Sequence, residues 1–178
     1  MYWLIIIGLL ILIIGILTII LITKYKSLKY VVSKINKAED RIYKASKQKY
    51  HHLTKYANFL KEKLNILDDS LDCDEINFHS PINELNKQIF FFNSKINAHM
   101  DNNEKILKEN EIKKIRKEID EENHIINGSI NYYNDNLVIY HKLIKKFPLN
   151  ILAKILKYQE KDFIEKEEGE TFKILEDI

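Results

Sequence analysis

Glu121-Glu122-Asn123-His124 sets a carboxylate and an imidazole three residues apart, a spacing that stacks Glu121 and His124 on one helix face. Two such Glu-x-x-His pairs on facing helices hold a di-metal centre in some helical bundles. This chain carries one pair, because His51, His52, His79 and His99 have no carboxylate at the spacing that would complete a second. A metal-dependent bundle using Glu121, Glu122 and His124 therefore needs a second copy to finish its ligand set. The run DDSLDCDE, residues 68–75, has five carboxylates in eight residues but lacks the calcium-loop spacing and its glycine, so it reads as a solvated connection. Asn127, Asn134 and His141 recur every seven residues as a polar strip, either a small-ligand groove or a set of amides that fixes helix register. No phosphate-binding glycine loop, Gly-x-Ser-x-Gly elbow or His-Glu-x-x-His zinc pattern occurs. The residues thus indicate no enzyme and no cofactor.

The elements that would position these groups are helical. Glycine (4) and proline (2) are scarce among 178 residues that are 46% hydrophobic and 30% charged, which disfavours a turn-rich β protein. Trp3 to Ile22 is 20 residues without a charge, enough to cross a bilayer at about 1.5 Å per residue. No Lys or Arg precedes this run, and Lys24, Lys26 and Lys29 follow it, so it reads as a retained anchor and not a cleaved signal. The same lysines place the N-terminus outside and the rest in the cytoplasm by the positive-inside rule; the alternative is an outward-facing bundle. Gly8 and Gly15 share a helix face, either for close helix pairing or as ordinary membrane-helix glycines.

Charge is uneven behind the net +2: residues 24–63 hold twelve Lys/Arg against three acids, and the acids outnumber the bases by seven in the remainder. Lys24, Lys26 and Lys29 suit anionic lipid headgroups, at about 1 kcal/mol per basic residue. Nucleic acid is not an expected partner, since most of the chain is acidic. The single Cys73 allows no internal disulfide.

Behind the anchor, Leu28, Val31, Ile35, Ala38, Ile42 and Ala45 keep a three-four rhythm. It slips through Lys49 and His52 and resumes at Leu53, Tyr56, Leu60 and Leu64. Ser80-Pro81 predicts the start of a second helix, capped by the serine, with Ile82, Leu85, Ile89, Phe92, Ile96 and Met100 on its apolar face. Asp101 to Asn103 read as a turn. Ile112, Ile119, Ile126, Tyr133, Tyr140 and Phe147 stand in register by sevens along a third helix that continues through Gly128, the glycine allowing close packing. Pro148 ends it and opens a short amphipathic helix. The expected fold is all-α: a transmembrane anchor (1–23), an antiparallel bundle of three long helices and a short C-terminal one (24–163), and an acidic, loose tail (164–178).

The block Tyr133-Asn134, Tyr140, Ile144, Phe147-Pro148, Asn150 and Ala153 resembles the LemA family of bacterial membrane-anchored proteins. LKEN at Leu107 to Asn110, the apolar Ile115, Ile119 and Ile126, and KDFIEKEEG also resemble its pattern; Tyr25, Leu28, Ile35, Ala38 and Ile42 fit more loosely. His141 departs from the family's second asparagine, Ile130 stands where an arginine is usual, and its Ile-Pro-Asn segment and paired arginines are missing near Leu53. The resemblance implies an N-terminal membrane anchor and a long antiparallel bundle, with a loose link to the bacterial envelope and stress and no established enzymatic role. The expected partners are the bilayer, anionic headgroups near residues 24–29, and a second copy or another membrane protein bound to an interaction or scaffold module.

Overall fold

A computed structural model describes residues 2–65, 71–72, 76–100 and 109–166. Cys73, the turn read at Asp101 to Asn103 and most of the acidic tail lie outside the described residues. The chain is all-α, with helices α1 (Tyr2–Leu64), α2 (Ile82–Met100), α3 (Asn110–Lys145) and α4 (Leu149–Ile155), and no strand among the described residues. α1 passes without a break from the apolar run into the amphipathic stretch and stops at Asn65, whose left-handed φ of 51° suits a helix C-terminus. Glu111 in the first turn of α3 and Lys142 and Lys145 in its last complement the helix dipole.

The chain divides into two units. One comprises Ala38–Asn131 and Ile164–Ile178. Its core joins Leu53, Leu60, Leu85, Ile96, Ile112 and Ile119, all at most 1% exposed. Where the apolar rhythm of α1 slips, the seam is carried by polar residues: Ser46 and Lys49 are buried between Ile42 and Leu53, and the helix is continuous. Ion pairs Lys63–Glu109 (3.2 Å) and His52–Glu118 (3.1 Å) show α3 antiparallel to α1. α2 points the other way. Lys61 pairs with Asp72, Tyr50 packs edge-on against Phe78 (5.5 Å), and the Tyr43 hydroxyl donates to the Ser80 carbonyl (2.8 Å). The connection therefore returns along α1, and α2 starts level with the middle of α1; Tyr50 then meets Phe92 (5.8 Å), so α2 runs parallel to α1. α2 starts where expected but without the expected cap: the Ser80 hydroxyl donates back to the Asn77 carbonyl (2.7 Å). Gly128 lies inside continuous helix, yet an added Cβ would meet nothing within 4 Å, so close packing does not account for it. The loose tail read from residue 164 begins later, since Ile164 is buried and the Glu165 N–H donates to Asn83 Oδ1 (3.3 Å).

The other unit comprises Met1–Lys37 and Tyr132–Phe163. Leu28, Val31 and Ile35 of α1, Tyr133, Leu137, Tyr140 and Ile144 of α3, and Leu149 and Ala153 of α4 are buried there. The apolar start of α1 is long enough to cross a membrane and has no buried residue along its most apolar stretch. A soluble protein's core helix of that composition would be covered by protein. Tyr2 and Trp3 at one end and Tyr25 at the other stand about 33 Å apart along the helix, the spacing of two interfacial aromatic belts. The heptad register does not reach Phe147. α3 ends at Lys145, so the helical phase that would carry Phe147 to the core stops first, and its side chain is 64% exposed. Pro148 and Leu149 turn inward instead, with the Phe147–Pro148 peptide cis.

Candidate functional site

α4 controls where the chain goes next. The Tyr158 N–H bonds to the Ala153 carbonyl (2.9 Å) and the Lys157 N–H to that of Lys154 (3.2 Å), with Lys157 left-handed at φ 57°. That Schellman ending sends residues 158–163 back along α3 as an extended strap. The two motif tyrosines hold it. The Tyr140 hydroxyl donates to the Gln159 carbonyl (2.6 Å) and the Tyr133 hydroxyl to that of Asp162 (3.4 Å). Seven helical residues advance about 10.5 Å and three extended residues about 10 Å, so tyrosines seven apart meet carbonyls three apart. The carbonyl numbers fall as the tyrosine numbers rise, so the strap is antiparallel to α3.

Further contacts line the strap. Tyr158 sits edge-on to Tyr140 (6.4 Å) and Phe163 edge-on to His141 (5.6 Å). The Lys145–Glu160 pair (2.8 Å) holds the Glu160 carboxyl below its ordinary range through a hydrogen bond and the ammonium charge. Burial raises the Tyr140 phenol, with Tyr158 adding to it, so the hydroxyl stays protonated and a donor. A cavity of about 300 Å³ lies between the strap and helix residues Val32, Ile35 and Tyr140.

The other motif residues have varied settings. Ile144, Pro148 and Ala153 are buried, Asn134 and Asn150 half-buried, and Phe147 exposed. The polar strip does not form a ladder: Asn127 is exposed, whereas Asn134 and His141 are half-buried. Asn136, which the seven-residue spacing passes over, is the buried amide, and its Nδ2 donates to the Tyr132 carbonyl one turn back (2.7 Å). Lys24, Lys26 and Lys29 are exposed at the end of the apolar run, and Lys29 lies over the Tyr25 ring (5.2 Å).

In the unit of Ala38–Asn131 and Ile164–Ile178, the middle of the bundle is polar. His52 approaches Glu118, and a buried Glu122 oxygen accepts no hydrogen bond. Burial raises the Glu122 carboxyl, partly offset by His52; burial also raises Asp120, offset by Arg116, His124 and Lys49. Glu121 and His124 are both exposed. Among the described residues no three His, Cys, Asp or Glu converge on a point that could hold a metal ion, so Glu121, Glu122 and His124 do not complete a ligand set within one copy of the chain. Glu121 and His124 share the outward face.

Helices packed in this way, an uncovered apolar first helix and tyrosines clasping a returning strap define a helical-bundle protein with a lipophilic leader helix. The chain belongs to the LemA family, whose family model matches residues 83–174, just over half of the sequence. No curated protein and no solved structure matches it.

Proposed function

We propose that the protein is a single-pass interaction module of the bacterial inner membrane, with its bundle on the cytoplasmic side and a role in binding protein partners instead of catalysis. The observation that carries this reading is α1: a charge-free run with no protein cover continues as the same helix into the buried seams of both units. An apolar rod of that length is stable where hydrocarbon surrounds it. The exposed Lys24, Lys26 and Lys29 favour the cytoplasmic side and its anionic headgroups. The hydroxyls of Tyr43, Tyr133 and Tyr140 are engaged with backbone carbonyls, which suits holding structure better than attacking a substrate.

Two experiments test it. Asn127 is exposed on α3, so Asn127→Cys in a Cys73→Ser background reports the side of the membrane. Labelling by an impermeant thiol reagent only after lysis agrees with the cytoplasmic placement; labelling of intact cells reverses it. A photo-crosslinker replacing Phe91, a 68% exposed aromatic on α2, should give a protein adduct in living cells. Its absence there and at Val138, the exposed site chosen on α3, argues against an interaction module.

A further inference from the structure

The segment around α4 has a composition unlike the rest of the bundle. From Asn136 to Gln159 there is no acidic residue and there are five lysines, although acids outnumber bases over residues 64–178 as a whole. Leu149 and Ala153 face the core, which leaves Phe147, Ile151, Ile155 and Leu156 exposed, Ile155 by 70%. Four large apolar side chains within ten residues form a patch, whereas isolated exposed apolar residues are ordinary. Lys145, Lys146, Lys154 and Lys157 are all exposed around it. Apolar side chains ringed by lysines are the makeup of an interfacial membrane helix.

Position selects the occupant. Tyr140 lines one cavity with Val32 and Ile35, in the same unit as the apolar run. Within this unit Lys34 of α1 lies over the Tyr132 ring (6.0 Å) and Tyr140 reaches Val32, so α3 advances toward the start of α1 and its last five residues carry it about 7.5 Å further that way. That step brings Lys145 and the α4 turn level with α1 residues just beyond Lys24, Lys26 and Lys29, where the helix would leave the bilayer. We propose that the Phe147–Leu156 turn is a second membrane contact: Phe147, Ile151, Ile155 and Leu156 enter the interface of an anionic phospholipid leaflet, and the lysines around them bind its headgroups. The proposal rests on the reading of the first helix as a membrane anchor. It holds for either orientation, because the turn faces whichever leaflet the anchor emerges from.

The test uses the full chain in vesicles of phosphatidylcholine brominated on its acyl chains, with and without about 30% phosphatidylglycerol. Trp3 is the only tryptophan, so its quenching in the parent protein reports the anchor itself. In a Trp3→Phe background, F147W and I155W should each be quenched by the bromines, and more strongly with the anionic lipid. Y132W, about 20 Å back along α3 from Lys145, should not be. Each of Lys146 and Lys154 changed to Gln in the F147W chain should lower the docked-to-undocked ratio roughly fivefold in the anionic vesicles. Quenched Trp3 with unquenched F147W and I155W overturns the second contact and leaves the anchor standing. A blue-shifted, unquenched F147W means that a second copy covers the patch, which also overturns it. Unquenched Trp3 removes the anchor and this proposal together.

Discussion

Tyr140 and Tyr133 make the same kind of bond at different lengths, and the lengths rank them. At 2.6 Å the Tyr140 bond is close, whereas at 3.4 Å the Tyr133 bond is near the limit. Tyr140→Phe should cost about 0.5–1.5 kcal/mol, the net worth of one hydrogen bond plus an orphaned carbonyl, and Tyr133→Phe less. Urea unfolding of the two variants measures the ranking, and equal losses would contradict it. Glu122 makes a pH prediction. Burial holds its carboxyl above the ordinary 4.5, so the folded protein binds the proton more tightly than the unfolded chain does. The stability tied to that proton is fully present below 4.5 and is lost as pH rises through the folded-state value. His52 offsets part of the rise and Glu121 adds to it. Glu122→Gln should therefore be more stable than the parent at neutral pH, with the difference vanishing in acid; thermal melts at both pH values decide the point.

At the level of elements, Gly128 offers the cleanest test. It sits in mid-helix with open space where a Cβ would go, so Gly128→Ala should stabilise the protein by about 1 kcal/mol. A loss of stability in the isolated protein would mean that the helix needs the glycine for a reason other than packing. The helices themselves were legible from spacing. α2 spans the stretch from Ile82 to Met100 that its apolar stripe marks, and α4 follows Pro148 as read. Phe147 was misplaced because a seven-residue repeat continues on paper past the point where the helix stops. The direction of α2 was hidden because it depends on contacts between residues far apart in sequence, the Lys61–Asp72 ion pair and those of Tyr43 and Tyr50. The strap was invisible for a related reason. A hydroxyl whose partner is a backbone carbonyl leaves no side-chain signature at the partner position, and six residues are too few to show a period. Asn136 escaped notice because it satisfies itself on its own helix.

For the whole molecule, the proposed membrane anchor rests on the first helix. If it is retained in lipid, the full chain should stay in the membrane pellet through alkaline carbonate extraction, and mass spectrometry should recover Trp3 in the mature protein; release with a missing N-terminus would contradict the anchor. The division of the chain has a further consequence for biosynthesis. One unit takes its pieces from Met1–Lys37 and Tyr132–Phe163, two segments far apart in the order of synthesis. At about 5–20 residues per second, a ribosome needs roughly 5–19 s to translate the stretch that separates them. Throughout that interval Leu28, Val31 and Ile35 have emerged without their native covering. The nascent chain thus presents an uncovered greasy stripe for many seconds, a window that favours a holdase chaperone and makes synthesis speed a determinant of yield.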